Sequence, residues 1–297
     1  MSQNPRTHDD YTMGWVCVTL EEQITARIML DNEHEDLQAS PGDDNIYILG
    51  QMGKHNVAIV RPPTPQGLSK DILLGDVVVS EPKGKHSGVL QYDMVKRFED
   101  RCDSASHLDK PPQVLTSAAQ KLACDHAMNK GEWKDYIHDS LQKLQSFGIA
   151  KYSFPGRQQD LLYRSGYHHL KDREDCSACD PGQIVPRSLR DEPHVHYGLI
   201  ASGNTLVRSA MFRDQMAKEQ EVLCFEMEAA GLMNGFPCIV IRGICDYADS
   251  HKNDLWQPYA SVTAAAYAKD LLRLIQPQEV HRVELAASLM LRCRSLE

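Results

Sequence analysis

Residues 224–250 read CFEMEAAGLMNGFPCIVIRGICDYADS. The stretch is mostly apolar, yet acids stand at both of its edges. Glu226 and Glu228 flank Met227, and Asp246 and Asp249 follow the apolar run CIVIRGI. EVLCFEM reads as a strand and AAGLMN as a helix. CIVIRGI reads as a second, buried strand, because its apolar residues run together rather than alternate. Buried strands alternating with helices predict an α/β fold, a mixed central β-sheet flanked by helices. In open sheets of that class ligand sites lie beyond the carboxyl ends of the strands, which is where both acid clusters fall.

The rest of the chain fits the same class. GWVCVTL (14–20) is rich in β-formers, and EEQITARIMLD (21–31) continues with helical spacing that turns Ile24, Ile28 and Leu30 inward. IYILGQMGKHNVAIV (46–60) reads as a hairpin around a Gly-containing turn. ILLGDVVVS (72–80) reads as a buried strand, and HYGLIASG (196–203) as a strand entering a small-residue turn. Helices are expected over 111–128, after two prolines, over 133–147 and over 260–275. For 133–147 the expected inner stripe is Tyr136, Leu141, Leu144 and Phe147. Residues 1–12 read as a polar tail, 13–275 as the folded domain, and 276–297 as a second tail with an amphipathic helix over 283–294.

Bulk properties narrow the function. The chain has 297 residues, a net charge of -9 and a pI near 5.8. An acidic surface argues against nucleic acid or a membrane surface as partner. There is no apolar leader and no run of about 18 apolar residues, the length that spans a bilayer. Nine scattered cysteines, an odd number, fit a reducing, cytoplasmic setting.

The acids have a physical reading of their own. If the chain stays extended, Glu226 and Glu228 point to one face and Met227 to the other. Ionised carboxylates only accept hydrogen bonds, which suits the two donor hydroxyls of a sugar diol. Asp246 is placed to give a proton to a leaving group if burial raises its pKa. The plainer alternatives stay open: a solvated Glu226, a helix-capping Asp246 and a loop or N-cap Asp249.

FEMEAAG (225–231), CIVIRGI and CDYAD (245–249) resemble the nucleoside phosphorylase and nucleosidase superfamily, and within it the fungal nucleoside phosphorylase-like modules. Supporting stretches are LGDVVVS, GVLQYD (88–93), KPPQVL (110–115) and HYGLIASGNT (196–205), and the likeness runs over about residues 13–275. It implies cleavage of the N-glycosidic bond of a purine nucleoside, by hydrolysis or phosphorolysis. The alternative is a silent nucleoside-binding or sensor module. In that scheme Glu228 binds ribose hydroxyls, Met227 packs on the ribose and Asp246 protonates purine N7. Glu22 activates water on the opposite face, with Arg242 near that acid. Ser202 and Gly203 form the turn by the base pocket, and Leu206 and Val207 cover the purine. This is the two-carboxylate logic of glycoside hydrolysis. Read alone, Glu22 also suits a first-turn acid at a helix N-terminus. No resident cofactor or metal is implied; phosphate would be a co-substrate of a phosphorylase. The partner is a small-molecule nucleoside, and family members are commonly homo-oligomers.

Two departures stand out. The family places a helix and a strand ending in a Gly-rich turn before LGDVVVS, on the order of 30 residues. Here HNVAIV is followed only by RPPTPQGLSKD (61–71). The second is YRSGYHHLKDREDCSACD (163–180), with His168, His169, Cys176 and Cys179. A single CxxC reads first as a loop with free thiols and second as part of a zinc site. His194 and His196 read as strand-edge residues.

Overall fold

The computed structural model describes residues 6–17, 19–37, 47–60, 67–68, 72–97, 102–104, 108–170 and 175–280. The helix expected over 283–294 lies outside them, as does most of the loop at 61–71. The chain divides into two units. The first comprises residues 1–63, 112–148 and 265–297; the second comprises 64–111 and 149–264.

In the first unit β1 (Met13–Val16), β2 (Asn32–Glu33), β3 (Ile48–Met52) and β4 (His55–Val60) form a sheet in the order β1-β4-β3-β2. β1 and β4 run parallel, and β3 and β4 form the expected hairpin, with Met52 opposite His55. Its two-residue turn starts at Gly53, whose φ of 59° is the left-handed conformation that such turns require. His55, Val57 and Ile59 alternate with half-buried neighbours, so one face of β4 is covered. The unit also holds α1 (Leu20–Ile28), α2 (Gln113–Ala127) and α3 (Trp133–Ser146). α2 begins directly after Pro112, because proline supplies a preset φ and needs no hydrogen bond at a helix start.

The apolar stripe of α3 differs from the expected one. Trp133, Ile137, Ser140 and Leu144 are buried, while Phe147 is 67% exposed. Trp133 decides the phase. The Asp270 carboxylate accepts from the backbone amides of Glu132 and Trp133, both at 3.1 Å, so it caps the helix and fixes its first residue inward. His126 and Arg273 close the same carboxylate.

The second unit carries β5 (Gly67–Leu68), β6 (Val77–Ser80), β7 (Val89–Gln91), β8 (Val95–Arg97), β9 (Cys102–Ser104), β10 (Val195–Ser202), β11 (Val222–Glu226) and β12 (Ile241–Gly243). Six of them form a mixed sheet, β12-β6-β10-β11-β5, with β7 also on β10; β8 and β9 pair separately. β6, β7 and β11 run parallel to β10, whereas β5 and β12 are antiparallel to their neighbours. All four β6 residues are buried, as the unbroken run VVVS predicts. The helices are α4 (Ala210–Gln220) and the short α5 (Ala229–Leu232). α6 (Gln257–Leu274) begins in this unit and continues into the first.

The mixed α/β architecture is as the sequence predicts, with its strands shared between two main sheets. Among the described residues nothing but the two-residue β5 stands between β4 and β6. That is where the helix and strand were expected to be missing.

Candidate active site

β11 ends at Glu226, and the chain turns at once into α5. Glu228 takes helical angles (φ −116°, ψ −37°) as the residue preceding that helix. The acids therefore do not alternate along an extended strand. Glu226 Oε2 accepts from the amides of Glu228 (3.0 Å) and Ala229 (2.9 Å) and caps the turn. Glu226 is 1% exposed. Burial pushes its carboxyl above the usual range, against the pull of Arg242 and of the Ser202 hydroxyl beside it. Glu226 is thus a buried support for the turn, not a solvated acid.

Glu228 Oε2 lies 3.3 Å from Arg242 Nη2, and both side chains are about nine-tenths buried. Arg242 comes from β12, opposite Val78 of β6. Two strand ends thereby meet through one carboxylate and one guanidinium. Met227, between the acids, is half-buried. Ser202 closes β10 in register with Glu226 and is fully buried. Its hydroxyl accepts from Ala230 N at 2.9 Å, which ties the end of β10 to α5.

Gly203 has to be small. A Cβ there would sit 2.7 Å from Tyr92 Cε1 and 3.1 Å from Asp93 Cγ. Those two residues hold the turn. Tyr92 Oη donates to Thr205 O at 2.7 Å, and Asp93 Oδ2 accepts from Asn204 N at 2.7 Å. Beyond the turn, the two residues expected to cover a purine part company. Val207 is buried with Leu90, Leu199, Ala201, Phe225 and Ala248, whereas Leu206 is 37% exposed.

Asp246 follows β12 in the loop that carries Ala248 into that same apolar cluster. It is 4% exposed. Oδ1 accepts from Ala248 N at 2.9 Å, and Oδ2 pairs with the Lys252 ammonium. Burial pushes the carboxyl up, while Lys252 pulls it back. The loop is pinned from outside by Arg213 of α4, whose Nη1 donates to Tyr247 O at 2.7 Å and lies 3.8 Å from Asp249. Asp249 Oδ1 accepts from His251 N at 2.8 Å, so Asp249 shapes the loop.

The second unit therefore gathers Asp246, Glu228, Arg242, Ser202, Gly203 and Val207 on its strand ends and their loops. Sequence reasoning missed Lys252, Tyr92, Asp93 and Arg213. Of these only Lys252 carried a local signal, a cation six residues after an acid expected to be buried. Glu22 belongs to the first unit, at the third position of α1. Glu22 N donates to Thr19 Oγ1 (3.2 Å) and Thr19 N to Glu22 Oε2 (3.4 Å), a reciprocal capping box. The first-turn role open from sequence alone is the one Glu22 fills in this conformation. His194 and His196, read as edge residues, serve Asp76. Its carboxylate accepts from His194 N and lies 2.9 Å from His196 Nε2.

This arrangement of strands is shared with solved enzymes. Futalosine hydrolase of Helicobacter pylori superposes with a TM-score of 0.54 at 14% identity, over 90% of this chain and 99% of that one. The chain has the nucleoside phosphorylase/nucleosidase fold. The 5′-methylthioadenosine/S-adenosylhomocysteine nucleosidase of the same bacterium gives 0.53 at 14% identity, over 89% and 98%. No family model matches the chain. By sequence it is 36% identical over 311 residues to a nucleotide-binding leucine-rich repeat (NLR)-like protein of Hyaloscypha variabilis, covering 93% of this chain. It is also 36% identical over 80 residues, 25% of this chain, to the ATP nucleosidase Cap17 of Escherichia coli. The chain spans 30% and 16% of those two proteins. Within the nucleosidase fold, no helix among the described residues is long and apolar enough to cross a membrane.

Proposed function

We propose that the chain hydrolyses the N-glycosidic bond of a purine nucleoside or of its 5′-phosphorylated form. The carrying observation is Asp246, a carboxyl at 4% exposure with its pKa raised by burial and one cation set against it. A buried carboxyl of that kind suits protonation of a departing purine. The proton goes to N7, the C1′–N9 electron pair leaves with the base, and water adds to the oxocarbenium-like C1′ while giving up its own proton. Glu228, held by Arg242, accepts from the ribose hydroxyls, and Met227 packs on the sugar. The Ser202–Gly203 turn with Val207 borders the base. Glu22 is the proposed base for water, a role carried by the family resemblance. Hydrolysis is preferred to phosphorolysis because no Gly-rich turn precedes β6 among the described residues. The 5′-phosphorylated form is included because one relative is an ATP nucleosidase.

The same absence favours a second reading, a silent nucleoside-binding module, and the NLR-like relative would suit a sensor. Product analysis separates the two. The protein is incubated with adenosine, inosine, guanosine, methylthioadenosine and ATP, with and without phosphate. Free base with the free sugar (ribose, methylthioribose from methylthioadenosine, or ribose 5-triphosphate from ATP), independent of added phosphate, is the expected result. Ribose 1-phosphate would mean phosphorolysis, and no base from any substrate would leave the silent module.

Lys252 offers a finer test. Its ammonium stabilises ionised Asp246, so Lys252→Met favours the neutral acid and raises the Asp246 pKa. The acid form then persists to higher pH. The alkaline limb of the kcat/KM profile is expected to move upward by about one unit or more. An unmoved limb, or one displaced to lower pH, would detach Lys252 from the chemistry.

A further inference from the structure

Residues 163–170 and 175–180 are not used by the reaction above, yet they are held closely. Tyr163 stacks on the His251 ring with centroids 4.0 Å apart, and Tyr167 lies beyond at 5.4 Å. His169 N donates to Ser250 Oγ at 2.9 Å, and Asp180 N to Tyr167 Oη at 2.8 Å. Within this frame His169, Cys176 and Cys179 present one donor atom each, all within 4.8 Å of one another. Both cysteines are free thiols, and Cys179 is buried.

Three details go beyond a chance meeting of side chains. Cys179 N donates to Cys176 O at 3.0 Å, a tight turn that brings both sulfurs together. His169 Nε2 lies 2.9 Å from Asp175 O. A carbonyl only accepts, so the ring proton sits on Nε2 and the lone pair on Nδ1, the fixed tautomer typical of a ligating imidazole. His251 is 6% exposed, and neither ring nitrogen has a hydrogen-bond partner among the described residues. Its ring stands edge-on to that of His169 at 5.4 Å. Asp249 Oδ1 lies 3.8 Å from Nδ1, and a carboxylate commonly backs a metal-bound histidine.

We propose that His169, Cys176, Cys179 and His251 bind a zinc ion. Two thiolates and two imidazoles are a standard closed set for zinc, with Zn–S about 2.3 Å and Zn–N about 2.0 Å. Tetrahedral coordination at those lengths sets donors about 3.3–3.8 Å apart, so the three clustered atoms close up by at most about 1.5 Å per contact. The two thiols lose their protons to solvent as the metal binds. The ion staples His169, Cys176 and Cys179 to the loop 246–252, which carries Asp246 and Lys252. It is a structural site, and it stands whether or not the chain cleaves nucleosides.

Metal content decides it. The full chain, purified without chelator and dialysed, is expected to carry one zinc per chain by plasma mass spectrometry. Exchange with cobalt(II) is expected to give thiolate-to-cobalt charge-transfer bands with tetrahedral d–d absorption. Cys176→Ser, His169→Ala and His251→Gln are each expected to weaken zinc by at least about tenfold in competition with a chromophoric chelator. His168→Ala, on an exposed side chain, should leave affinity unchanged. If a variant fails to fold, the wild-type metal content and cobalt spectrum still decide the matter. Wild-type protein that neither contains nor takes up zinc overturns the site. So does a Cys176–Cys179 disulfide found as the resting state. Wild-type affinity in His251→Gln would remove His251 as the fourth donor.

Discussion

Asp246→Asn is expected to lower the rate of base release by about 10²–10⁴-fold, the usual contribution of a positioned general acid. Asparagine fills the same volume and keeps an oxygen for the Ala248 amide. It has no acidic proton to give to N7. The Lys252 ammonium, 10% exposed, loses its counter-charge, so some stability is lost as well. A thermal melt beside the kcat measurement separates the two effects. A folded variant that keeps activity within a few-fold of wild type would remove Asp246 as the acid.

Gly243→Ala is expected to cost about 3 kcal/mol or more, at the upper end of overpacking penalties. A Cβ on Gly243 would lie 1.9 Å from Ala260 O and 2.6 Å from its carbonyl carbon. Both are backbone atoms, and α6 cannot step back without disturbing its neighbours. Trp256 and Tyr259 on the same stretch are themselves buried against Gly75. β12 places Arg242 and leads to Asp246, so any retained activity should fall with stability. Denaturant melts read the loss directly. A midpoint equal to wild type would mean that α6 and β12 separate freely at this point.

The hairpin at β3–β4, the buried β6 and the helices α1, α2, α3 and α6 were legible in the sequence because their signals are local; α4 was not read from it. Alternation, unbroken apolar runs, a turn glycine and prolines ahead of a helix each act within a few residues. The α3 stripe was misread because its phase is set by Asp270, 137 residues after Trp133. The alternation expected of Glu226 and Glu228 failed for a related reason. Periodicity cannot tell that a strand ends at its own cap, and here Glu226 does the capping.

The chemistry divides the same way. The sequence by itself determined the α/β class, the family likeness and the kinds of residue available: acids at strand ends, a small-residue turn, a CxxC with nearby histidines. Only the tertiary structure decided their partners. It put Lys252 on Asp246, Arg242 on Glu228, Asp93 on the Asn204 amide and His251 beside His169. A buried carboxyl's proton affinity depends on desolvation and on which charge lies within a few ångströms. Those neighbours are fixed by packing between distant segments, and no spacing along the chain encodes them.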